Sequence, residues 1–555
     1  MKTEIKTTLK RLAAGMMVAM APSTMAATIA LQNVNVVDVN TLTVNQSQTI
    51  IIEDNIITTI QSAKHIDLTP ETVGIDLKGK YVIPGLIDAH VHHATDPDLW
   101  DNEIITRKRL RKLLQGGVTS VRDMGGDTRE LASIQRQALI DVIPSPDIYY
   151  SVIIGGPEFF SDPRTISSGK GHKAGETNWM RAVTHDTNLD DVMLKAAGTG
   201  ATGIKIYASV DGKLVKKLAT AAKKHGLKVW GHAYVGPATP GDMVAGGVET
   251  ISHVPDISAE VIDNYKDWRR KDKSPDDQQL KQSFNPASYQ QIFNQMKQNG
   301  TILDATLTVF EQRKELNDNT KTRYKHATML TQLAHEKGIK IAAGTDAFSD
   351  LSGDGKPMIY KELKLLVNDG GLSPTEAIQA ATLHAAEVIG IEKTTGSVDA
   401  GKIANLVILQ DDPTADISNI NSVTHVIKNG RFILRGDNPA LPFSIARPAG
   451  DMLWMSGQVG NFPGTTTLVG PDVESQMHQS MVNIGAVLAE YDLTFDDVVK
   501  CTLMLDDIKD WADASAVYKT FFNNKLPARS AFATGGLALG AKVEIECAAS
   551  FVEPK

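Results

Sequence analysis

From residue 82 onward the chain alternates short, almost wholly apolar runs with longer segments in which apolar residues return every three or four positions. The first pattern marks strands buried on both faces, the second amphipathic helices. Strands are predicted at 82–87, 118–121, 148–154, 203–207, 227–230, 249–252, 302–307 and 339–343. Helices are predicted between them at 104–114, 129–140, 191–197, 214–225, 288–298 and 324–337. Eight strands with intervening helices are what a (β/α)8 TIM barrel of the α/β class requires, with any active site at the carboxyl ends of the strands. No Gly-x-Gly-x-x-Gly turn follows the first strand to favour a doubly wound open sheet.

The pattern differs on either side of this region. Short strands divided by Asn and Asp turns fall before residue 82 (28–38, 49–60, 74–77) and again after Gly390 (405–409, and 425–434 with an Asn429-Gly430 hairpin turn). They predict a small composite β-sandwich, made of 27–81 and 390–436, with the barrel of 82–389 inserted in it. Helices at 357–368 and 373–389 close the barrel, the second opened by Ser373-Pro-Thr-Glu376, an N-cap with Pro at N1 and Glu at N3. Residues 437–442 have a linker's Gly, Pro and Asn content. Residues 443–555 then predict a separate α+β domain: strand 452–455, helix 473–491, strand 498–505, helix 511–522, strand 542–548.

Composition narrows the function. Hydrophobic residues at 42% and charged residues at 22% describe a globular chain, and a net charge of −8 offers no basic patch for nucleic acid or anionic membrane. The N-terminus has Lys2, Lys6, Lys10 and Arg11, an apolar stretch at 12–21, then small residues to Ala27. This is the order of a secretory signal, with a cut expected near Ala26, and the apolar stretch is too short to span a bilayer. A periplasmic or secreted protein without a membrane span is expected. Cys501 and Cys547 both lie in β-like runs and are expected as small buried hydrophobes, with a disulfide as the lesser alternative.

The candidate chemistry begins at Tyr81-Val-Ile-Pro-Gly-Leu-Ile-Asp-Ala-His-Val-His92. Side chains alternate along a strand, so His90 and His92 point the same way and can hold one metal ion from a barrel rim. Lys205, His232, His253 and Asp346 fall at or just past the ends of the fourth, fifth, sixth and eighth strands. Six ligand-type residues converging on one rim point to a metal site. Lys205 cannot ligate as an ammonium, which has no acceptor, and must first be deprotonated. A Lys205–Asp346 ion pair at a mononuclear site is the alternative. His172 and Tyr207 are candidates for substrate binding; Arg122 and Asp123 are weaker ones, placed for a mutual ion pair.

In order along residues 30–440, Pro84-Gly-Leu-Ile-Asp-Ala-His-Val-His92, Gly117-Val-Thr-Ser-Val-Arg-Asp123, Ile204-Lys-Ile-Tyr207, Gly231-His-Ala233, Ser252-His253, Gly344-Thr-Asp346 and Gly401-Lys-Ile-Ala-Asn-Leu-Val407 resemble the metal-dependent amidohydrolase superfamily, in its imidazolonepropionase-like and prolidase-like branch. The resemblance implies two divalent ions, with zinc expected. His90, His92 and Asp346 would bind one, His232 and His253 the other, and a carboxylated Lys205 would bridge them. With two such ions a bridging water is acidified to hydroxide and attacks the carbonyl of a small amide, a dipeptide or N-acyl amino acid. Asp346 would carry the proton to the leaving nitrogen.

Met455-Ser-Gly-Gln-Val-Gly460, Leu526-Pro-Ala-Arg-Ser-Ala-Phe532 and Lys542-Val-Glu-Ile-Glu546 resemble the RidA-type (YjgF-type) reactive-intermediate deaminases over residues 441–555. That likeness implies a trimer with pockets between subunits, Arg529 holding a substrate carboxylate and Glu544 and Ser456 shaping the pocket. The chain departs from the family pattern at Phe443, where Tyr is expected, and at Ser515, where Asn is expected. The competing function is therefore an imine or enamine deaminase, or a carboxylate-binding oligomerisation module supported by the barrel.

Overall fold

The computed structural model describes residues 28–63, 68–69, 72–93, 103–271, 275–436, 442–523 and 525–552. The expected signal segment, and residues 437–441 of the expected linker, lie outside them.

Eight parallel strands form the barrel: β1 (Leu86–Val91), β2 (Val118–Asp123), β3 (Asp147–Gly155), β4 (Gly203–Ile206), β5 (Lys228–His232), β6 (Thr250–Ser252), β7 (Ile302–Asp304) and β8 (Ile341–Ala342). Each pairs with the next in order. The seam between first and last is held by the Ala89 amide on the Ala343 carbonyl at 2.9 Å, and by the Asp346 amide on the His90 carbonyl at 2.9 Å. The barrel predicted from the apolar runs is therefore present, as is a distinct C-terminal α+β domain.

Two strands depart from expectation. The run at 82–87 is split at Gly85: Tyr81–Pro84 pairs antiparallel with Leu406–Leu409, and only Leu86 onward enters the barrel. A side chain at Gly85 would strike Thr119 at 2.2 Å, so the chain can cross between the two sheets there only as glycine. The run at 302–307 ends as a strand at Asp304, and a helix (Leu307–Arg313) begins at Leu307. Buried Glu362 causes the turn by accepting from the Leu307 and Thr308 amides at 3.0 and 2.7 Å.

Strands from both ends of the barrel segment share one eight-stranded sheet, in which Leu406–Leu409 from the C-terminal side joins Tyr81–Pro84 and Ile29–Asp38 from the N-terminal side. The helix Pro374–Ala380 opens with the expected capping box: Ser373 Oγ accepts from the Glu376 amide, and Glu376 accepts from the Ser373 amide.

The C-terminal domain is a six-stranded sheet covered by helices Val473–Glu490 and Trp511–Lys519. Strand Ala528–Ala533, not predicted, forms its edge. Cys501 and Cys547 face each other on adjacent strands and are joined in a disulfide, which overturns the expectation of two free thiols. Register explains it: directly opposed residues bring their α-carbons to 4.1 Å, within reach of a bridge, and a sequence pattern carries no such pairing.

Candidate metal centre

Six of the eight barrel strands deliver a polar side chain to the same rim. His90 and His92 leave β1, Lys205 stands on β4, His232 ends β5, His253 follows β6, Asp304 ends β7 and Asp346 follows β8. His253, Thr306 and Asp346 all have positive φ (71°, 53° and 45°), a costly conformation for residues with a Cβ. Three such residues at one rim mark a place where geometry is held against local preference. Gly344 is required beside them, since a Cβ there would lie 2.4 Å from Asp304 Oδ1 and 2.6 Å from His90 Cβ.

The imidazoles form a continuous line. Ring centres run His92 to His90 at 5.5 Å, His90 to His253 at 5.0 Å, and His253 to His232 at 4.7 Å. Asp346 lies along one side, with Oδ1 3.3 Å from His92 Nε2 and 3.7 Å from His90 Nε2, and Oδ2 3.7 Å from His253 Nδ1. His90, His92 and Asp346 bring their donor atoms within 4.8 Å of one another, a spacing that suits one ion. His232 sits one ring further on, against Tyr207.

The far side of three of the four rings is already occupied, which fixes what their near side offers, while His253 Nδ1 meets Thr306 Oγ1 at 3.1 Å. His90 Nδ1 meets Asp304 Oδ2 at 2.7 Å, His92 Nδ1 meets the Gly125 carbonyl at 3.2 Å, and His232 Nδ1 meets the Tyr207 carbonyl at 2.9 Å. An Nδ1–H that donates to oxygen leaves Nε2 as the lone-pair donor, the usual arrangement of a metal-binding imidazole. On the chemistry of its donors this set fits divalent cations.

The rings differ in charge. Burial, reinforced by neighbouring positive groups, holds His232 and His253 well below the usual imidazole range, so both are neutral. Burial also works against a charged His92, but the Asp346 and Asp123 carboxylates outweigh it and hold the ring up at about 9. Against its own burial, Asp346 is held down at about 2 by the imidazoles of His90 and His92. Lys205 is fully buried, and burial, with Arg122 adding to it, pulls its amine down to about 7. It does not pair with Asp346; its Nζ donates to Ser252 Oγ at 2.8 Å.

Asp304 is the residue that sequence reasoning missed. Wholly buried, its Oδ2 receives His90 Nδ1, Arg122 Nη2 at 2.9 Å and Ser252 Oγ at 2.9 Å, so one carboxylate orients the His90 ring and, through Ser252, touches Lys205. The signal was present, since Asp304 ends the seventh strand as the other candidates end theirs, but the apolar run appeared to continue through it. Arg122 accordingly pairs with Asp304 and not with Asp123, which accepts from the amides of His93 and Gly125.

The substrate-binding candidates divide. Tyr207 packs edge-on against His232 and stacks on Phe159, with its hydroxyl donating to the Met124 carbonyl at 2.6 Å. His172 is exposed, and its contacts are Arg129 at 3.0 Å and the edge of Trp179, not the rim histidines. In the C-terminal domain, Arg529 aligns with Cys501, and Glu544 with Met504 three positions along the same strand. Alternation puts them on opposite faces of the sheet. Arg529 lies over Tyr518 and Trp511 at 5.0 and 5.4 Å, Glu544 packs against Gly457, and Ser456 Oγ donates to the Ser444 carbonyl. One chain does not bring these three together.

A family model for the amidohydrolase family matches residues 81–433, and one for endoribonuclease L-PSP matches residues 436–551. The chain belongs to the amidohydrolase family, metal-dependent hydrolases of carbon–nitrogen bonds, and carries a C-terminal RidA-type domain. That domain is 37% identical over 108 residues to the mouse 2-iminobutanoate/2-iminopropanoate deaminase, covering 20% of this chain and 80% of the mouse protein. It is also 37% identical over 109 residues to the chloroplastic Reactive Intermediate Deaminase A of Arabidopsis thaliana, covering 20% of this chain and 58% of that protein's length. Among solved structures, a Xaa-Pro dipeptidase with bound methionine matches with a TM-score of 0.57 at 22% identity, over 73% of this chain and 99% of the other. The A. niger ochratoxinase matches with a TM-score of 0.58 at 20% identity, over 74% and 96%. These likenesses define the fold.

Proposed function

We propose that this protein is a secreted or periplasmic hydrolase of small amides, dipeptides or N-acyl amino acids, working at a two-metal centre. The observation that carries the proposal is the line of four imidazoles flanked by Asp346, with the Lys205 amine near Ser252 at the same rim. His90, His92 and Asp346 would hold one ion, His232 and His253 the second, and Lys205, carboxylated on its deprotonated amine, would bridge them. Bound divalent zinc or a similar ion supplies Lewis acidity to a carbonyl oxygen and lowers the pKa of water.

The chain's own residues supply the rest. Asp346, kept ionised and held at the edge of the imidazole line, accepts a proton as the nucleophile adds and returns it to the departing nitrogen. Asp304 and the carbonyls of Gly125 and Tyr207 keep the ligand rings in one tautomer and orientation. Tyr207 walls the site beside His232. The dipeptidase and ochratoxinase likenesses support this fold as a carrier of such chemistry, and the N-terminal signal pattern and the Cys501–Cys547 bridge support an oxidising compartment.

The C-terminal domain is assigned an oligomerising, carboxylate-binding role. Its relatives are named as deaminases, but Phe443 and Ser515 remove a hydroxyl and an amide from the pattern, and Arg529 and Glu544 share a pocket only if a second subunit, as in a trimer, completes it.

The test is metal analysis of the purified protein together with hydrolysis of an amide panel by wild type and Asp346→Asn. Metal near two per chain, activity lost on chelation and restored by zinc, and an inactive Asp346→Asn are expected. Full amidase activity in metal-free protein would overturn the proposal; imine deamination that survives chelation would favour the C-terminal domain instead.

A further inference from the structure

His253 is held differently from the other rim imidazoles. The rings of His90, His92 and His232 turn Nδ1 to a carboxylate or a main-chain carbonyl, groups that accept and do not donate, so each of those nitrogens carries its proton. His253 Nδ1 instead meets a hydroxyl, Thr306 Oγ1. A hydroxyl both donates and accepts, so this contact orients the ring only while Thr306 is kept in place.

Thr306 is kept in place in an unusual way. It stands at the N-cap of the helix Leu307–Arg313, where a threonine ordinarily has extended backbone and its hydroxyl caps an amide two or three residues on. Here its φ is +53°, and the Leu307 amide, the Thr308 amide and Thr308 Oγ1 all donate to the carboxyl of Glu362, at 3.0, 2.7 and 2.7 Å. Glu362 does the capping, and the Thr306 hydroxyl is turned to His253 instead of to its own helix. Both side chains are wholly buried. The same stretch also grips the main chain at His253, whose amide donates to the Asp304 carbonyl at 3.0 Å, while the Val254 amide donates to the Ala305 carbonyl at 3.3 Å. Glu362 lies on the helix Ile359–Asn368, beyond β8, so a residue away from the rim fixes the turn that fixes the ring.

We propose that Thr306, held by Glu362, is a positioning residue for the second ion: its hydroxyl accepts from His253 Nδ1–H and so presents the Nε2 lone pair to the metal. This rests on the two-metal reading above. Neither residue touches the ion or the substrate. The link also accounts for two costs built into the fold, the positive φ of Thr306 and His253 and the burial of an acid beneath the turn.

The experiment titrates zinc into full-length, metal-stripped protein by calorimetry against a competing chelator. Wild type is expected to take two ions per chain. In Thr306→Val, which keeps the branched shape and loses the hydroxyl, one of the two affinities should fall by about 10–100-fold while the other stays within about twofold. Glu362→Gln, which sets an amide N–H2 against a backbone donor, should do the same, and Thr306→Ser should bind as wild type does. In a His232→Ala background, where the second ion has already lost a ligand, Thr306→Val should change the remaining affinity by less than about twofold. A merely structural role would lower the melting temperature and leave both zinc affinities where they were. Equal loss of both affinities, wild-type binding in Thr306→Val, or fewer than two ions in wild type would overturn the proposal. If Thr306→Val weakens one ion and Glu362→Gln does not, the hold by Glu362 is wrong; should Glu362→Gln not fold, Thr306→Val decides. If the zinc pattern is as expected but no amide is cleaved by wild type, the positioning role stands and the hydrolase assignment fails.

Discussion

The barrel rim and the C-terminal sheet were both marked by motifs, yet one chain completes only the first. At the rim, seven residues from six strand ends meet; several of the rings are held by a second partner behind them, and three residues hold positive φ to keep their places. In the C-terminal domain, Arg529 and Glu544 stand on opposite faces of one sheet, and the exposed edge strand Ala528–Ala533 carries the arginine. A barrel closes on itself, so the ends of distant strands share one opening within a single chain. An open sheet has edges and two faces, and can gather such residues only with help from outside the chain.

The largest expected effect tests that self-sufficiency. Asp346→Asn keeps the size of the side chain but removes its charge and its capacity to take a proton, and amidase kcat should fall by about 10³-fold or more, roughly 4 kcal/mol. Arg529→Ala, in the same assay, should change kcat by less than about twofold if the barrel works alone. Comparable losses from both would mean that the two regions form one active site.

The next effect separates a ligand from its support. In Asp304→Asn, the buried Arg122 guanidinium loses its only carboxylate among the described residues, and His90 loses the charge behind its Nδ1. Unfolding free energy should drop by about 3–5 kcal/mol, and zinc affinity, measured by competition with a chelator, by about 10–100-fold. Unchanged zinc affinity in a folded variant would show that Asp304 does not orient His90.

The Cys501–Cys547 bridge offers the converse, a perturbation confined to the other region. It closes a loop of 46 residues inside the C-terminal domain, and Cys501→Ser with Cys547→Ser should cost that domain about 2–4 kcal/mol. Calorimetry should then show an early transition for the C-terminal domain, with the barrel transition and zinc content unchanged. A barrel that melts with it would point to tight coupling through the ion pairs of Lys108 and Arg111 with Asp492.

How much could be read beforehand follows the same division. The barrel was legible because strands buried on both faces leave continuous apolar runs, and because His90, His92, Lys205, His232, His253 and Asp346 each interrupt such a run at its end. Asp304 was hidden because its own run seemed to continue to Leu307, and the turn there is imposed by Glu362, some fifty residues away in sequence. The break at Gly85 was hidden for a like reason: apolar character persists across it while the chain changes sheets. The disulfide and the edge strand Ala528–Ala533 depend on register and on an exposed face, and neither leaves a periodic apolar trace.

The smallest effect decides whether Arg529 is held ready or merely parked. Its guanidinium lies over Tyr518 and Trp511, contacts worth about 0.5–1 kcal/mol at a partly exposed site, so Arg529→Ala should lower the stability of the C-terminal domain by no more than that. If the two rings hold the arginine for a carboxylate ligand, simple 2-oxo acids should raise the melting temperature of the wild-type domain and not that of Arg529→Ala. Arg529→Lys, which keeps the charge but loses the planar fork, should respond weakly. A wild type that ignores such acids while Arg529→Ala loses stability would make the stacking purely structural, and would remove Arg529 as a candidate carboxylate site.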